Sequence, residues 1–103
     1  MLDWKISLIE GSSMAPTLKH GDYVISRRPN HNISVGKIVI IKHPIFGKII
    51  KRISSLDENG QFIVQGDNPE STSPETLGPI DISYINLLKN SKFIFGNSFV
   101  LLS

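Results

Sequence analysis

The sequence predicts a mostly β fold, a small β-barrel or sandwich, from its composition and its spacing of turn signals. The chain has sixteen Ile and five Val against a single Ala, and β-branched side chains fit a pleated sheet better than a helix. Short apolar segments alternate with Gly, Pro, Asn and Asp along the sequence, as is typical of small all-β domains. With 103 residues and no Cys, we expect one domain over 1–103 whose core needs no disulfides.

Five strands are predicted in order from the N-terminus, each a short apolar run that ends at a turn signal. The Asp-Glu-Asn-Gly turn at 57–60 joins the last two of them as a β-hairpin. A closing β-hairpin is predicted over 93–102, where Gly-Asn interrupts an apolar run. The five strands are 6–9, 23–27, 38–41, 47–53 and 62–64.

Two connections are predicted to be loops. Residues 29–34 form a short polar loop after the second strand. Residues 66–79 hold three Pro and two Gly with almost no apolar content. A structureless connection of that length is unusual in a small domain, and it therefore indicates a functional segment.

The charge and hydropathy patterns argue against a nucleic-acid-binding protein, a membrane-spanning helix and a signal peptide. Eleven Lys and Arg stand against nine Asp and Glu, and the cations are scattered, with Arg27-Arg28 as the densest pair. We therefore expect no nucleic-acid partner. No segment approaches the ~20 apolar residues of a membrane-spanning helix, and the N-terminus lacks the pattern of a signal peptide. A peripheral membrane contact through the apolar C-terminal hairpin stays open.

Metal and thiol chemistry are also not expected. Without Cys there is no thiol nucleophile and no Cys-ligated metal. The three histidines, His20, His31 and His43, occupy separate turns or loops without the spacing of a metal site. We predict that they are surface residues and that the protein uses no metal or cofactor.

Lys51 does not fit the strand that carries it. Strand alternation places it on one face between Ile49 and Ile53. Such a lysine either extends its ammonium group to water at the end of a strand or is desolvated, which lowers its pKa and allows it to act as a general base. The residue pattern leaves both readings open.

Ser13 is the candidate nucleophile that such a base would serve. It lies between Gly-Ser and Met-Ala-Pro, in a stiff turn that can present the hydroxyl and leave backbone N–H groups free for an oxyanion. The chain has thirteen serines, and most serines in turns have no catalytic role.

Four sequence segments together resemble the signal peptidase I family of serine–lysine endopeptidases. They are Ser-Met-Ala-Pro-Thr-Leu at 13–18, Gly-Asp at 21–22, Lys-Arg at 51–52 and Gly-Asp-Asn-Pro at 66–69. The resemblance extends from about residue 11 to 80. It implies a signal peptidase I-like β core without a large inserted domain, Ser13 as nucleophile and backbone oxyanion donor, and Lys51 as general base.

The resemblance also implies a substrate cleft lined by apolar side chains near the two catalytic segments. The matching positions are Ile9, Met14, Leu18, Ile49 and Ile50. Each of them is equally plausible as ordinary core. A side-chain hydroxyl that some family members place two residues before the nucleophile is absent here, because that position is Gly11.

The last segment departs most from the family pattern. The family's acidic-Ser-Arg triplet is missing, and the hydroxyl that orients the lysine corresponds to Ser71 or Thr72, depending on which glycine anchors the alignment. By analogy with the family, Asp67 pairs with Arg52 in a structural role; the alternative is that both are simply exposed side chains. The aspartate that usually follows the glycine at position 36 is replaced by Lys37.

Within this family, the chain looks most like the short bacterial members similar to the nickel-type superoxide dismutase maturation protease. The resemblance implies removal of an N-terminal leader from a protein substrate, in the bacterial cytoplasm or at the periphery of the cytoplasmic membrane, without a transmembrane anchor. Two alternatives remain. One is a self-cleaving, repressor-like Ser-Lys autoprotease, for which the twelve residues before Ser13 leave little cleavable chain. The other is a non-catalytic β-barrel binding module.

Overall fold

The fold is described from a computed structural model that covers residues 4–28 and 33–88, together with the backbone of 93–94 and 99–100. It is mostly β, as the composition predicted, with almost no helix and no large insertion. A one-turn helix, α1, spans Pro74–Leu77, and a 3-10 turn spans Ile82–Tyr84. The strands are β1 Lys5–Leu8, β2 Tyr23–Arg27, β3 Ile38–His43, β4 Gly47–Leu56, β5 Phe62–Gln65, β6 Ile85–Leu88, β7 Phe93–Ile94 and β8 Phe99–Val100.

All strand pairs are antiparallel and belong to one sheet. Its order is β5-β4-β3-β6-β2-β7-β8, with β1 paired to β2 outside that path. The predicted hairpin of β4 and β5 is confirmed, with a bulge between Ile53 and Ser55. The carboxylate of Asp57 holds its turn by accepting hydrogen bonds from the backbone N–H groups of Asn59 and Gln61 at 2.9 Å.

One face of the sheet builds the larger core. Val39 and Ile41 of β3 are fully buried with Ile53 of β4 and Val64 of β5. Alternation along β3 and β4 sends these side chains to the same side, where Leu77 of α1 closes over them. Burial of each such side chain contributes about 1.5–3 kcal/mol, which makes this cluster the main support of β4.

The opposite face builds a second, smaller cluster that holds the loop between β1 and β2. Ile40 of β3 and Ile50 of β4 pack there against Met14 and Leu18 of that loop. Both loop side chains are 1% exposed. Their burial fixes a segment that has no strand partner of its own.

Two sequence-based assignments differ from the structure, and a third, the polar loop at 29–34, is not tested by it. The segment 66–79 is not without structure, because Ser73 caps the short helix α1 by accepting a hydrogen bond from the Thr76 N–H. The strand β6 was not predicted, although it lies centrally between β3 and β2. Residues 29–32 of the polar loop lie outside the described residues.

The C-terminal hairpin is described only in its backbone pairing. Phe93 pairs with Val100 and Ile94 with Phe99, as the prediction required. Residues 95–98 and 101–103 lie outside the described residues. Among the residues that are described, no helix has the length and apolar content to cross a bilayer.

Candidate active site

Ser13 lies in the tightly turned loop at 9–22 between β1 and β2, which we call the serine loop. The side chains of Met14 and Leu18 anchor this loop in the smaller core. The Ala15 N–H donates to the Ser12 carbonyl at 3.0 Å, and the Leu18 N–H donates to the Met14 carbonyl at 2.9 Å. Ser13 itself is half-buried, and its hydroxyl donates to the Ile50 carbonyl at 3.5 Å. A hydrogen bond of that length is weak, so the hydroxyl can be redirected at little cost.

Lys51 is buried on β4, where its side chain is 3% exposed. It lies opposite Val39 of β3, on the face that carries the larger core. Desolvation by burial lowers the pKa of its ammonium group. No hydrogen bond or ion pair to the Lys51 ammonium group is found within the described residues, so nothing there stabilises its charged form. Of the two readings that the sequence left open, the burial favours the desolvated lysine.

Ser13 and Lys51 line the same cavity, of about 290 Å³. One wall is formed by residues 7–10, at the end of β1, and the other by residues 48–51 of β4. Within the described chain, β1 pairs with β2 alone, and β4 pairs with β5 only from Arg52 onward. The cavity is therefore a cleft between two strand edges that are open to an added peptide strand.

The predicted substrate-binding residues divide into two groups. Ile9, Ile49 and Ile50 line the cleft. Met14 and Leu18 do not line it, because their side chains point into the smaller core beneath the serine loop. Their position fits the reading of ordinary core, and they act on the cleft through the placement of Ser13.

Residues 66–73, between β5 and α1, contact the serine loop from outside, and we call them the clamping segment. The Asn68 N–H donates to the Ser13 carbonyl at 2.9 Å, and the Asn68 side-chain amide donates to the Ser12 carbonyl at 2.9 Å. Gly66 permits this approach. A Cβ on Gly66 would collide with the Ser13 carbonyl oxygen and with the side chain of Ser71.

Asp67 joins this segment to both other parts of the site. Its carboxylate accepts two hydrogen bonds from Arg52, at 2.8 Å from Nε and at 2.7 Å from an Nη atom. It also accepts one from the Thr17 hydroxyl at 2.6 Å. The hydrogen bonds from Arg52 hold the pKa of Asp67 below its usual value, with a smaller contribution from Thr17. The Arg52 guanidinium donates further to the Gly36 carbonyl at 2.8 Å.

We expect Asp67→Asn to destabilise the fold by about 1–3 kcal/mol, since it removes a charged hydrogen-bond acceptor from a half-buried guanidinium. The pKa of Asp67 is lowered on folding, so its stabilisation is present above the unfolded pKa of about 3.9 and is lost as pH falls through the folded value. Urea titrations at pH 7 and pH 3 test this. The difference between wild type and variant should shrink at pH 3, whereas the exposed Glu58→Gln should match wild type at pH 7.

The two candidates for the lysine-orienting hydroxyl have different positions. Thr72 lines the cleft with Ser13 and Lys51. Ser71 is not among its lining residues, because it packs against Gly66 and donates its backbone N–H to the Asn68 carbonyl at 3.0 Å. Of the two, the geometry favours Thr72.

The prediction of surface histidines is wrong for His43. Its side chain is 7% exposed, and its ring Nε2 bonds the Leu77 carbonyl at 2.8 Å while Nδ1 accepts from the backbone N–H groups of Ile45 and Phe46. It is a structural link between the β3–β4 turn and α1. His20 is exposed, and His31 lies outside the described residues. No cluster of potential metal ligands occurs in the part of the chain that is described.

Sequence reasoning missed two contributors. Asn68 and Thr17 belong to the segments that carried the family resemblance, but neither received a role. The structure gives both a hydrogen bond that ties segments about fifty residues apart. An Asn after a Gly-Asp pair is also a common turn residue, and its sequence position does not disclose its distant partner.

A comparison with protein families adds a match over most of the chain. Residues 5–86 match the family described as Peptidase S24-like, a span that includes the serine loop, β4 and the clamping segment. No curated protein and no solved structure matched the chain. The family match supports a serine–lysine type of protease or autoprotease in general, and the finer prediction of a leader peptidase stays a prediction. Since the matched span covers most of its length, the chain belongs to the Peptidase S24-like family.

Proposed function

We propose that this protein is a serine endopeptidase that removes an N-terminal leader from a separate protein substrate, with Ser13 as nucleophile and Lys51 as general base. The observation that carries this proposal is the shared cleft: a half-buried serine and a desolvated lysine line one cavity between two open strand edges. A snorkelling surface lysine, as in a simple binding module, would be exposed rather than 3% exposed. The family match supports the same class of chemistry.

In the proposed mechanism, the substrate lies in the cleft as an extended strand along β4. Ile50 offers its carbonyl to the cleft, where it accepts the weak hydrogen bond from Ser13. A substrate N–H is a stronger competitor for that carbonyl, and its binding releases the Ser13 hydroxyl towards Lys51. Substrate binding and activation of the nucleophile are thereby linked.

The chemical steps use only these two side chains and backbone groups. Neutral Lys51 Nζ takes the proton of the Ser13 hydroxyl while Oγ attacks the scissile carbonyl carbon, and the backbone N–H of Ser13 stabilises the oxyanion. The lysine then donates that proton to the leaving amine, and an acyl-enzyme remains on Ser13. Water, deprotonated by the same lysine, hydrolyses the ester and restores the hydroxyl. In this scheme Thr72 hydrogen-bonds the lysine and orients it.

The finer identity of the substrate rests on the sequence resemblance. We propose a leader-bearing precursor of the kind represented by nickel-type superoxide dismutase, processed in the bacterial cytoplasm or at the periphery of its membrane. The leader junction must be extended over several residues to enter the cleft, which suits a flexible N-terminal segment.

The decisive experiment separates cleavage in trans from self-cleavage. The purified protein is incubated with leader-bearing precursors, the nickel-type superoxide dismutase precursor among them, and the products are identified by mass spectrometry. We expect a single cut in the precursor, which is lost in Ser13→Ala and retained in Ser12→Ala. Cleavage confined to the protein's own chain would support the autoprotease instead, and cleavage that survives Ser13→Ala would exclude the serine as nucleophile.

The pH dependence tests the role of Lys51. Burial lowers the pKa of the lysine from its usual value of 10.5, and only its neutral form can accept the proton of Ser13. We therefore expect kcat/KM to rise with pH through an ionisation below that of a free lysine and then to level off. A profile that still rises steeply near pH 10.5 would show that the lysine is not desolvated in the active enzyme.

A further inference from the structure

A groove lined by lysines adjoins the active-site cleft. It consists of two neighbouring cavities, of about 410 and 470 Å³, which share Lys5, Lys42 and Asn86. Lys48 and Ser26 also line the first cavity, of about 410 Å³. We call these five residues the lysine groove.

Strand register explains why residues so distant in sequence meet there. Lys5 of β1 lies opposite Ser26 of β2, and Lys42 of β3 lies opposite Lys48 of β4. Asn86 of β6 pairs with Ile40, two residues before Lys42 on the same face of β3. The smaller core covers one half of this face, and the groove occupies the other half.

The groove carries an excess of positive charge. Lys5, Lys42 and Lys48 are exposed, and no salt bridge to any of them is found within the described residues. Among the described residues, neither cavity is lined by a carboxylate. Like charges directly opposite in a sheet destabilise it, so the Lys42–Lys48 pair has a cost that a bound anion would relieve.

Ser26 is a second and independent indication of a ligand. Ser26 is 1% exposed and lines the first cavity. Its hydroxyl has no hydrogen-bond partner among the described residues. Buried hydroxyls are nearly always paired. The Ser26 hydroxyl is an unused donor in a cavity that three lysines also line, and this combination suits a hydrogen-bond acceptor that carries negative charge.

The groove continues the cleft in which the substrate is proposed to lie. Ser7, Ile40 and Lys48 line both the cleft and the first cavity of the groove. Lys48 precedes Lys51 by three residues of β4, a distance of about 10 Å at ~3.3 Å per residue. A peptide strand that reaches Ser13 therefore passes the lysines within a few residues of its scissile bond.

We propose that the lysine groove binds acidic side chains of the substrate, about three to five residues from the scissile bond. This proposal rests on the proposed function, because it assigns a specificity to the same cleft. An acidic peptide fits better than an anionic membrane because the lysines line a concave groove continuous with the cleft, and a flat lipid surface would not reach the buried Ser26 hydroxyl.

A binding experiment tests the groove without requiring catalysis. Short fluorescent peptides with either Glu or Gln at the same positions are titrated onto the Ser13→Ala protein by anisotropy. We expect the Glu peptide to bind roughly tenfold more tightly, with a preference that weakens as salt is raised. The preference should disappear in a protein that also carries Lys42→Gln and Lys48→Gln, and it should persist with Lys19→Gln, an exposed lysine outside the groove. Equal binding of the two peptides, or a preference that survives the double substitution, would overturn the proposal.

Two further arms separate this specificity from its alternatives. Cleavage of a proteome-derived peptide library by the active protein should show Asp and Glu enriched three to five residues from the cut. If the library is not cut at all, the proposed function fails and the anisotropy titration alone decides the groove. If the double substitution abolishes binding to phosphatidylserine vesicles and leaves peptide binding unchanged, the groove serves a membrane and the proposal is wrong.

Discussion

Replacing Lys51 by Met is expected to abolish peptide cleavage while stabilising the fold. Methionine has nearly the same length and fits the buried site, but it cannot accept a proton. Loss of a general base costs roughly 10²–10⁴-fold in rate. In the proposed mechanism Lys51 also protonates the leaving amine and deprotonates the hydrolytic water, so we expect the upper end of that range. Steady-state kinetics on a cleaved precursor measure this loss directly.

The stability gain has a definite pH dependence. Burial lowers the pKa of Lys51 on folding, so the unfolded chain binds its proton more tightly and folding is penalised below the unfolded pKa of about 10.4. The wild-type protein therefore gains stability as pH rises through the interval between its folded and unfolded pKa values. Lys51→Met lacks this penalty, and we expect it to exceed wild type by roughly 1–3 kcal/mol at neutral pH, with the difference shrinking towards pH 10.

The matched control is Lys19→Met, a change at an exposed lysine. It should leave both the rate and the urea midpoint close to those of wild type. A Lys51→Met protein that is inactive and also less stable would indicate that the lysine supports the fold through interactions of its charge. A Lys51→Met protein that cuts at the wild-type rate would remove the lysine from the mechanism.

The second large effect is expected at Gly66, where a single methyl group should disable the site. The φ of Gly66 lies outside the left-handed region, so the backbone conformation does not demand glycine. The obstacle is steric, because the added Cβ would collide with the Ser13 carbonyl oxygen. That carbonyl accepts the Asn68 N–H, so the clamping segment must move away from the serine loop. We expect at least a tenfold loss in kcat/KM and a destabilisation of about 1–3 kcal/mol.

Two companion variants make the Gly66→Ala result specific. Adding Ser71→Gly removes the side-chain part of the collision and leaves the backbone part, so it should not restore activity. Gly60→Ala, at the tip of the β4–β5 hairpin, places Ala at a φ of 78° with no neighbour within 4 Å. It should cost about 1–2 kcal/mol of stability through backbone strain while the folded enzyme keeps its activity. If Gly66→Ala and Gly60→Ala lose activity equally, general destabilisation explains both.

The β class of the fold and the β4–β5 hairpin can be predicted from local sequence patterns. The isoleucine and valine content, the alternation along β3 and β4 and the turn residues at 57–60 were sufficient to predict a β domain and its best-defined hairpin. Local patterns were not sufficient for β6, which is four residues long and has no alternation over Leu87 and Leu88. Leu87 packs in the larger core and Leu88 in the smaller one, so the apolar run has no period from which a strand could be recognised.

The sequence by itself also made Ser13 and Lys51 the candidate catalytic pair, because the residue types, their order and the position of a lysine between two isoleucines can be read directly from the sequence. Only the tertiary structure decided that Lys51 is buried, that Thr72 rather than Ser71 lines the cleft, and that His43 is a core residue. Burial and contact depend on which strands become neighbours and in what register. Pairing between distant segments sets that arrangement, as the hydrogen bond from Asn68 to the Ser12 carbonyl and the pairing of Lys5 with Ser26 both illustrate.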